Sequence, residues 1–269
     1  MIQRLEPALY ERVSPLFRPL RFHLASAAVL DGVCPGRVFV DDLARPRAAF
    51  MVSPEGCYLV GDPRMGGFNR GFNAALGAGE LLPSDVDVVF LVIHPEDWGD
   101  QLASLLAPHT YETTERYHYV CRSVRLDWRA ALPDGCRTRR IDHALFEEQG
   151  AMLPDHVLGW MRGNWGSIEG FLRDGFGTLT ACDDEFVSWS VADCASAEAC
   201  EIGIRTVPSH RRRGLGAVTA SANVALALSL GFEVVGWHCP QENVGSIRTA
   251  EKVGFRLERS YEAYVAQLA

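Results

Sequence analysis

The chain has 269 residues, 48% of them hydrophobic and 22% charged, which is the composition of an ordinary globular protein with room for one large or two modest cores. Its net charge of −8 argues against broad binding to nucleic acid or to anionic membranes. No apolar run reaches the ~18 residues a membrane-spanning helix needs, and the first residues lack the basic-then-apolar pattern of a secretory signal, so a cytoplasmic protein is expected.

In chain order, Leu5, Leu9, Val13, Leu16 and Leu20 recur at helical spacing, and Pro15 and Pro19 break that pattern into short helices. Three strands follow over 36–41, 48–53 and 57–61, separated by turns that contain Pro and Gly. Residues 65–79 are rich in Gly and Asn, and Gly66-Gly67 reads as a turn. A buried strand is expected over 87–93, a helix with acidic residues in its first turn over 94–106, and a further strand over 116–124. The segment 127–135, ending in Leu-Pro-Asp-Gly, is the best candidate for a linker.

The second half repeats this order. A short strand over 138–141 leads to helices over 144–152 and 156–172, then to a hairpin of strands 176–181 and 186–192. A strand over 198–207, a long Ala-rich helix over 214–230 stopped by Gly231, a strand over 234–239, a helix over 244–253 and one or two closing strands over 255–265 complete the chain. The expected architecture is α+β, with a smaller N-terminal α+β domain over 1–130 and a second domain over 136–269. The shared element order points to an internal duplication.

The most informative stretch runs from Glu201 to Ala217, a strand followed by a basic loop with two glycines and the start of a helix. Such a junction collects free backbone N–H groups at the positive end of a helix dipole, a ready site for phosphate oxygens. Arg211-Arg-Arg213 before Gly214-Leu-Gly216 adds positive charge, although an Arg triplet is equally at home on a solvated surface. Gly203, inside the strand, marks a bulge or the close approach of a ligand.

Arg211-x-x-Gly214-x-Gly216-Ala217 resembles the acyl-CoA-binding signature of the GNAT superfamily of N-acetyltransferases, and Asn243-x-x-Ser246 ending in Gly254-Phe255 resembles its second motif. The resemblance covers the second half of the chain. The whole, with its strand-rich front half, looks like a two-domain member whose N-terminal domain is a degenerate GNAT-like repeat. It implies a mixed central sheet flanked by helices and acetyl-CoA as co-substrate, with no metal. Thr206 and Val207 would then lie against the pantetheine, and Arg211, Arg212, Arg213, Gly214, Leu215, Gly216 and Ala217 around the pyrophosphate. Asn243 and Ser246 would complete the cofactor site, Asn243 being also a good N-cap.

For chemistry, the resemblance implies Glu201 as the base that deprotonates an amine. The tyrosine that commonly serves as acid, seven residues after the Asn, is replaced by Ala250. Tyr261, Tyr264 and His238 are substitutes. Cys239 has no firm base partner for a covalent route. The eight cysteines show no zinc spacing and read as reduced thiols. The expected activity is acyl transfer from acetyl-CoA to a small primary amine, with no nucleic-acid or membrane partner. Two rival readings stay open: a non-catalytic acyl-CoA-binding regulator, and transfer of a different acyl group.

Overall fold

A computed structural model of the chain describes residues 2–84, 86–149 and 152–268. It divides into two compact units, Met1–Glu115 with Tyr261–Ala269, and Arg116–Ser260.

The first unit contains strands β1 (Gln3–Leu5), β2 (Arg37–Val40), β3 (Ala48–Ser53), β4 (Gly56–Gly61) and β5 (Val88–His94) and helices α1 (Ser14–Phe17), α2 (Leu24–Leu30), α3 (Gly66–Gly77) and α4 (Gly99–Leu105). Its sheet runs β1-β2-β3-β4-β5 and is closed by the end of β12 (Arg256–Gln267). All neighbours are antiparallel except the parallel pair β4–β5. Phe50, Leu59, Phe68, Phe72 and Trp98 fill its core. The prolines break the N-terminal helical pattern as expected, leaving α1 between two 3-10 turns. The Gly- and Asn-rich stretch, by contrast, is helix α3. Its buried residues Phe68, Phe72, Ala75 and Leu76 recur at helical spacing, and the burial of that stripe outweighs the low helix propensity of its glycines.

The second unit takes up β6 (Thr110–Cys121), whose residues from Arg116 onward belong to it, then β7 (Cys136–Arg140), α5 (His143–Gln149), α6 (Asp155–Trp165) and α7 (Ile168–Asp174). It continues through β8 (Gly177–Cys182), β9 (Glu185–Ser196), β10 (Ala199–Thr206), α8 (Leu215–Ser229), β11 (Val234–Pro240) and α9 (Val244–Val253) to the start of β12. The single helix expected over 156–172 is two, because Gly166 turns left-handed (φ 76°) and Ser167 caps α7 by accepting a bond from the N–H of Gly170 at 2.9 Å. Strands β7-β8-β9-β10 are antiparallel, β10–β11 is parallel, and β11–β6 is antiparallel. Four antiparallel strands, a parallel partner and an antiparallel closing strand is the pattern of the first unit too.

The unit boundaries differ from the expected 1–130 and 136–269. The strand β6, which follows β5 in sequence, closes the sheet of the second unit, whereas β12 at the chain's end closes that of the first. The segment 127–135 therefore lies inside the second unit instead of dividing the chain. A second correction concerns the cysteines. Cys136 and Cys182 stand opposite each other on β7 and β8 with Cα atoms 4.0 Å apart and form a disulfide, while the other six are free and buried. Among the described residues no helix is long and apolar enough to cross a membrane.

Candidate active site

The parallel strands β10 and β11 pair over only three residues, the last match being Glu201 with Gly236. Beyond that point β10 bonds only to β9, through to Thr206 opposite Ser188, so the two parallel strands part and leave the β11-facing edge of residues 202–206 without a strand partner. The corresponding pair in the first unit, β4 with β5, stays matched from Cys57 to Val60.

The parting coincides with a bulge. Glu201 faces Cys194 and Ile202 faces Ala192, so Asp193 is an extra residue on β9. Asp193 is held by α6: Trp160 Nε1 donates to its Oδ1 at 2.8 Å and Asn164 Nδ2 to its carbonyl at 3.0 Å. The same indole explains Gly203. A Cβ there would sit 2.1 Å from Trp160 Cζ2, so this glycine makes room for a tryptophan and not for a ligand. Neither Asp193 nor Asn164 was singled out from sequence; a polar pair within apolar strand and helix patterns was the available signal.

Past Thr206 a 3-10 turn (Pro208–His210) leads through the three arginines, all exposed, into α8. Arg212 (φ 63°) and Gly214 (φ 81°) are both left-handed, and Gly214 at the N-cap supplies no side-chain acceptor. The first N–H groups of α8 are thus left without a side-chain cap, forming a concave set of donors at the positive helix end. Gly216 lies against Thr206, since its Cβ would meet Thr206 Oγ1 at 3.3 Å, and a Cβ on Gly214 would lie 3.8 Å from Lys252 Nζ. Arg211 Nε donates to the Thr206 carbonyl at 3.1 Å and so ties the loop to the strand. Asn243 caps α9, its Oδ1 accepting from the N–H of Ser246 at 3.0 Å. The hydroxyl of Ser246 accepts from Trp237 Nε1 at 2.9 Å.

Glu201 is 6% exposed. Its Oε1 lies 3.2 Å from His238 Nε2, and Cys194 Sγ donates to its Oε2 at 3.5 Å. His238 stacks on His118 with centroids 4.4 Å apart and planes 14° from parallel. His118 Nδ1 is 3.0 Å from Glu258 Oε2. Burial first, and the neighbouring His238 second, push His118 down to about 4, so its ring is neutral at neutral pH. Burial raises the Cys239 thiol, which keeps it protonated and speaks against a covalent acyl intermediate.

The structure brings Glu201 and His238 together, but not the tyrosines. Tyr261 packs edge-on against Phe22 and His23 in the first unit. Tyr264 belongs to that unit's core and donates its hydroxyl to Glu262, and burial raises its phenol above the ordinary value. Ala250 is fully buried in the core of the second unit.

A strand pair that parts at a carboxylate, followed by an uncapped glycine-rich helix start, sits where the family signature lies. The family model described as GNAT acetyltransferase matches residues 14–264. The chain belongs to the GNAT acetyltransferase family. An uncharacterized N-acetyltransferase of Bacillus subtilis (strain 168), YdfB, is 22% identical over 264 residues, covering 98% of both chains. Among solved structures, a GCN5-related N-acetyltransferase-like protein from Streptococcus suis 89/1591 matches this GNAT chain with a TM-score of 0.72 at 22% identity, over 97% of this chain and 99% of that one. A tandem GNAT protein from the clavulanic acid biosynthesis pathway matches with a TM-score of 0.60 at 11% identity, over 99% and 98% of the two chains.

Proposed function

We propose that the protein transfers an acyl group, acetyl in the first instance, from acetyl-CoA to the primary amine of a small molecule by direct attack. The observation that carries this reading is the placement of Glu201 at the point where β10 and β11 part. The unpaired edge of β10, ending at Thr206, offers backbone groups to a pantetheine arm as another strand would; Val207 beside it has its N–H on the Val187 carbonyl at 2.9 Å and its carbonyl on the His210 N–H at 3.0 Å, so it could contribute only its side chain. The uncapped amides at Gly214–Ala217, with the cationic heads of Arg211–Arg213, suit a pyrophosphate. Asn243 spends its Oδ1 on the cap of α9 and keeps its Nδ2 for the cofactor. Ser246 spends its hydroxyl on Trp237 and contributes through its place in the helix start.

Acetyl-CoA supplies the activated acyl group; the chain's own contribution is to the amine. An alkylammonium acceptor is mostly protonated at neutral pH and has to lose a proton before it is a nucleophile. Glu201 is the base for that proton, and the His238 bond to Oε1 holds its carboxylate in place. Tyr261 and Tyr264 are not assigned a role in proton donation, given their packing.

Acetyl-CoA consumption with a panel of polyamines, amino acids, aminoglycosides and peptides tests this reading. Turnover of at least one primary amine is expected, and Glu201→Gln is expected to lose roughly 100-fold or more in kcat at neutral pH. Full activity of that variant would sink the base assignment. The buried Ala250, in place of the usual acid, favours a second reading: CoA binding without turnover on any acceptor would identify a regulator.

A further inference from the structure

One face of the second unit's sheet carries a row of ionisable side chains that runs away from Glu201: His238 on β11, His118 beside it on β6, and Glu258 on β12. His238 and His118 are direct register partners. Glu201 is matched to Gly236, two residues along β11 from His238, and the missing side chain at Gly236 opens the row. A Cβ at Gly236 would fall 2.9 Å from Glu201 Cγ and 3.3 Å from His118 Nε2, so the carboxylate and the second ring share the space above that glycine.

We infer that His118, bordered by Glu258, is a positioning residue that fixes the His238–Glu201 pair through ring stacking; this rests on the reading of Glu201 as the base. A carboxylate gains in direction from a donor only if the donor's ring cannot swing. His238 has one ring nitrogen on Glu201 at 3.2 Å, and its face lies on His118 at 4.4 Å. On its other side the ring is bordered by Glu258, whose Oε2 lies 3.0 Å from His118 Nδ1. Around the His118 ring, Glu201 and Glu258 favour positive charge while His238 and Arg259 oppose it. The His118 ring is thus neutral and can stack on His238 while His238 bonds the carboxylate. The donor atoms of His118, Glu201 and His238 lie within 4.8 Å of one another, a span a divalent cation could bridge. The rings are only 14° from parallel, however, so their in-plane lone pairs run side by side and do not converge on one ion.

The test compares wild type with His118→Ala, His118→Phe, Glu258→Ala and Glu258→Gln, using acetyl-CoA and the best amine of the panel, with Glu201→Gln in parallel. His118→Ala is expected to lower kcat tenfold or more while leaving the KM for acetyl-CoA within twofold. The acid limb of its kcat/KM profile should move to higher pH, because a carboxylate that loses a fixed donor keeps its proton to higher pH. His118→Phe, which keeps the stack, and Glu258→Gln, which keeps the side chain beside the ring, should each retain more activity than the corresponding alanine variant. Imidazole 15N spectra of the full-length protein supply a readout that needs no acceptor: a neutral His118 ring at neutral pH, and a His238 Nε2 signal that shifts in His118→Ala. Wild-type kinetics in both alanine variants, a His238 signal indifferent to His118, or stoichiometric zinc in the purified protein that His118→Ala removes would each overturn the inference. An inactive Glu201→Gln beside unchanged His118 and Glu258 variants would reject the row and leave the base standing; an active Glu201→Gln would reject the base itself.

Discussion

His118 is buried at 6% exposure among groups of both signs, and its neutral form is the one the fold accommodates. Its ordinary value of 6.5 falls to about 4 in the folded chain. Between those two values the unfolded chain binds a proton that the native state refuses, so stability rises with pH there. The contribution is fully present above about pH 6.5 and is lost as pH falls toward 4, to a depth of about 3 kcal/mol. Urea unfolding at intervals from pH 4 to 7 should show this slope, and His118→Asn should flatten it; an unchanged slope would show that other groups carry it. Glu201 and His238 were both legible in the sequence, because the resemblance marks the strand of the first and the position of the second beside the cofactor. His118 and Glu258 were not, since they lie more than 80 residues before and more than 50 after Glu201 and meet it only through strand pairing.

At the scale of elements, the path from β10 through the basic loop into α8 was read from local chemistry alone: strand alternation, two glycines and an Ala-rich helix. That reading holds in the structure because each signal is local. Gly203 shows where local reasoning stops, for its reason is the Trp160 indole from α6, 43 positions upstream. Gly203→Ala should force that indole off its place and cost about 1–3 kcal/mol, measurable as a fall in the urea midpoint. An unchanged midpoint would mean the bulge at Asp193 does not depend on this packing. Gly216→Ala makes only a tight contact with Thr206 and should fold normally. Its methyl group would hold a phosphate off the helix start, and calorimetry should show CoA binding weakened roughly tenfold, about 1.4 kcal/mol. Undiminished affinity would move the pyrophosphate elsewhere.

At the scale of the whole molecule, the repeated element order is matched by the same strand pattern in each unit, but the sequence did not reveal which strand closes which. Nothing in the composition of β6 or β12 distinguishes the two closures; the choice belongs to long-range pairing. Removing residues 261–269 should therefore destabilise the first unit, whose sheet those residues close, and limited proteolysis should cut first within residues 1–115. Cleavage confined to residues 116–260 would contradict the assignment of β12. The disulfide Cys136–Cys182 was likewise hidden, by a sequence separation of 46 residues. Whether CoA lies where β10 leaves β11 is decided by an amide NMR titration of the full chain with CoA. Perturbations are predicted to concentrate at Thr206, Val207 and Arg211–Ala217, with Asn243 beside them. A saturable response centred instead on residues 56–79 of the first unit, or none at any CoA concentration, would contradict it.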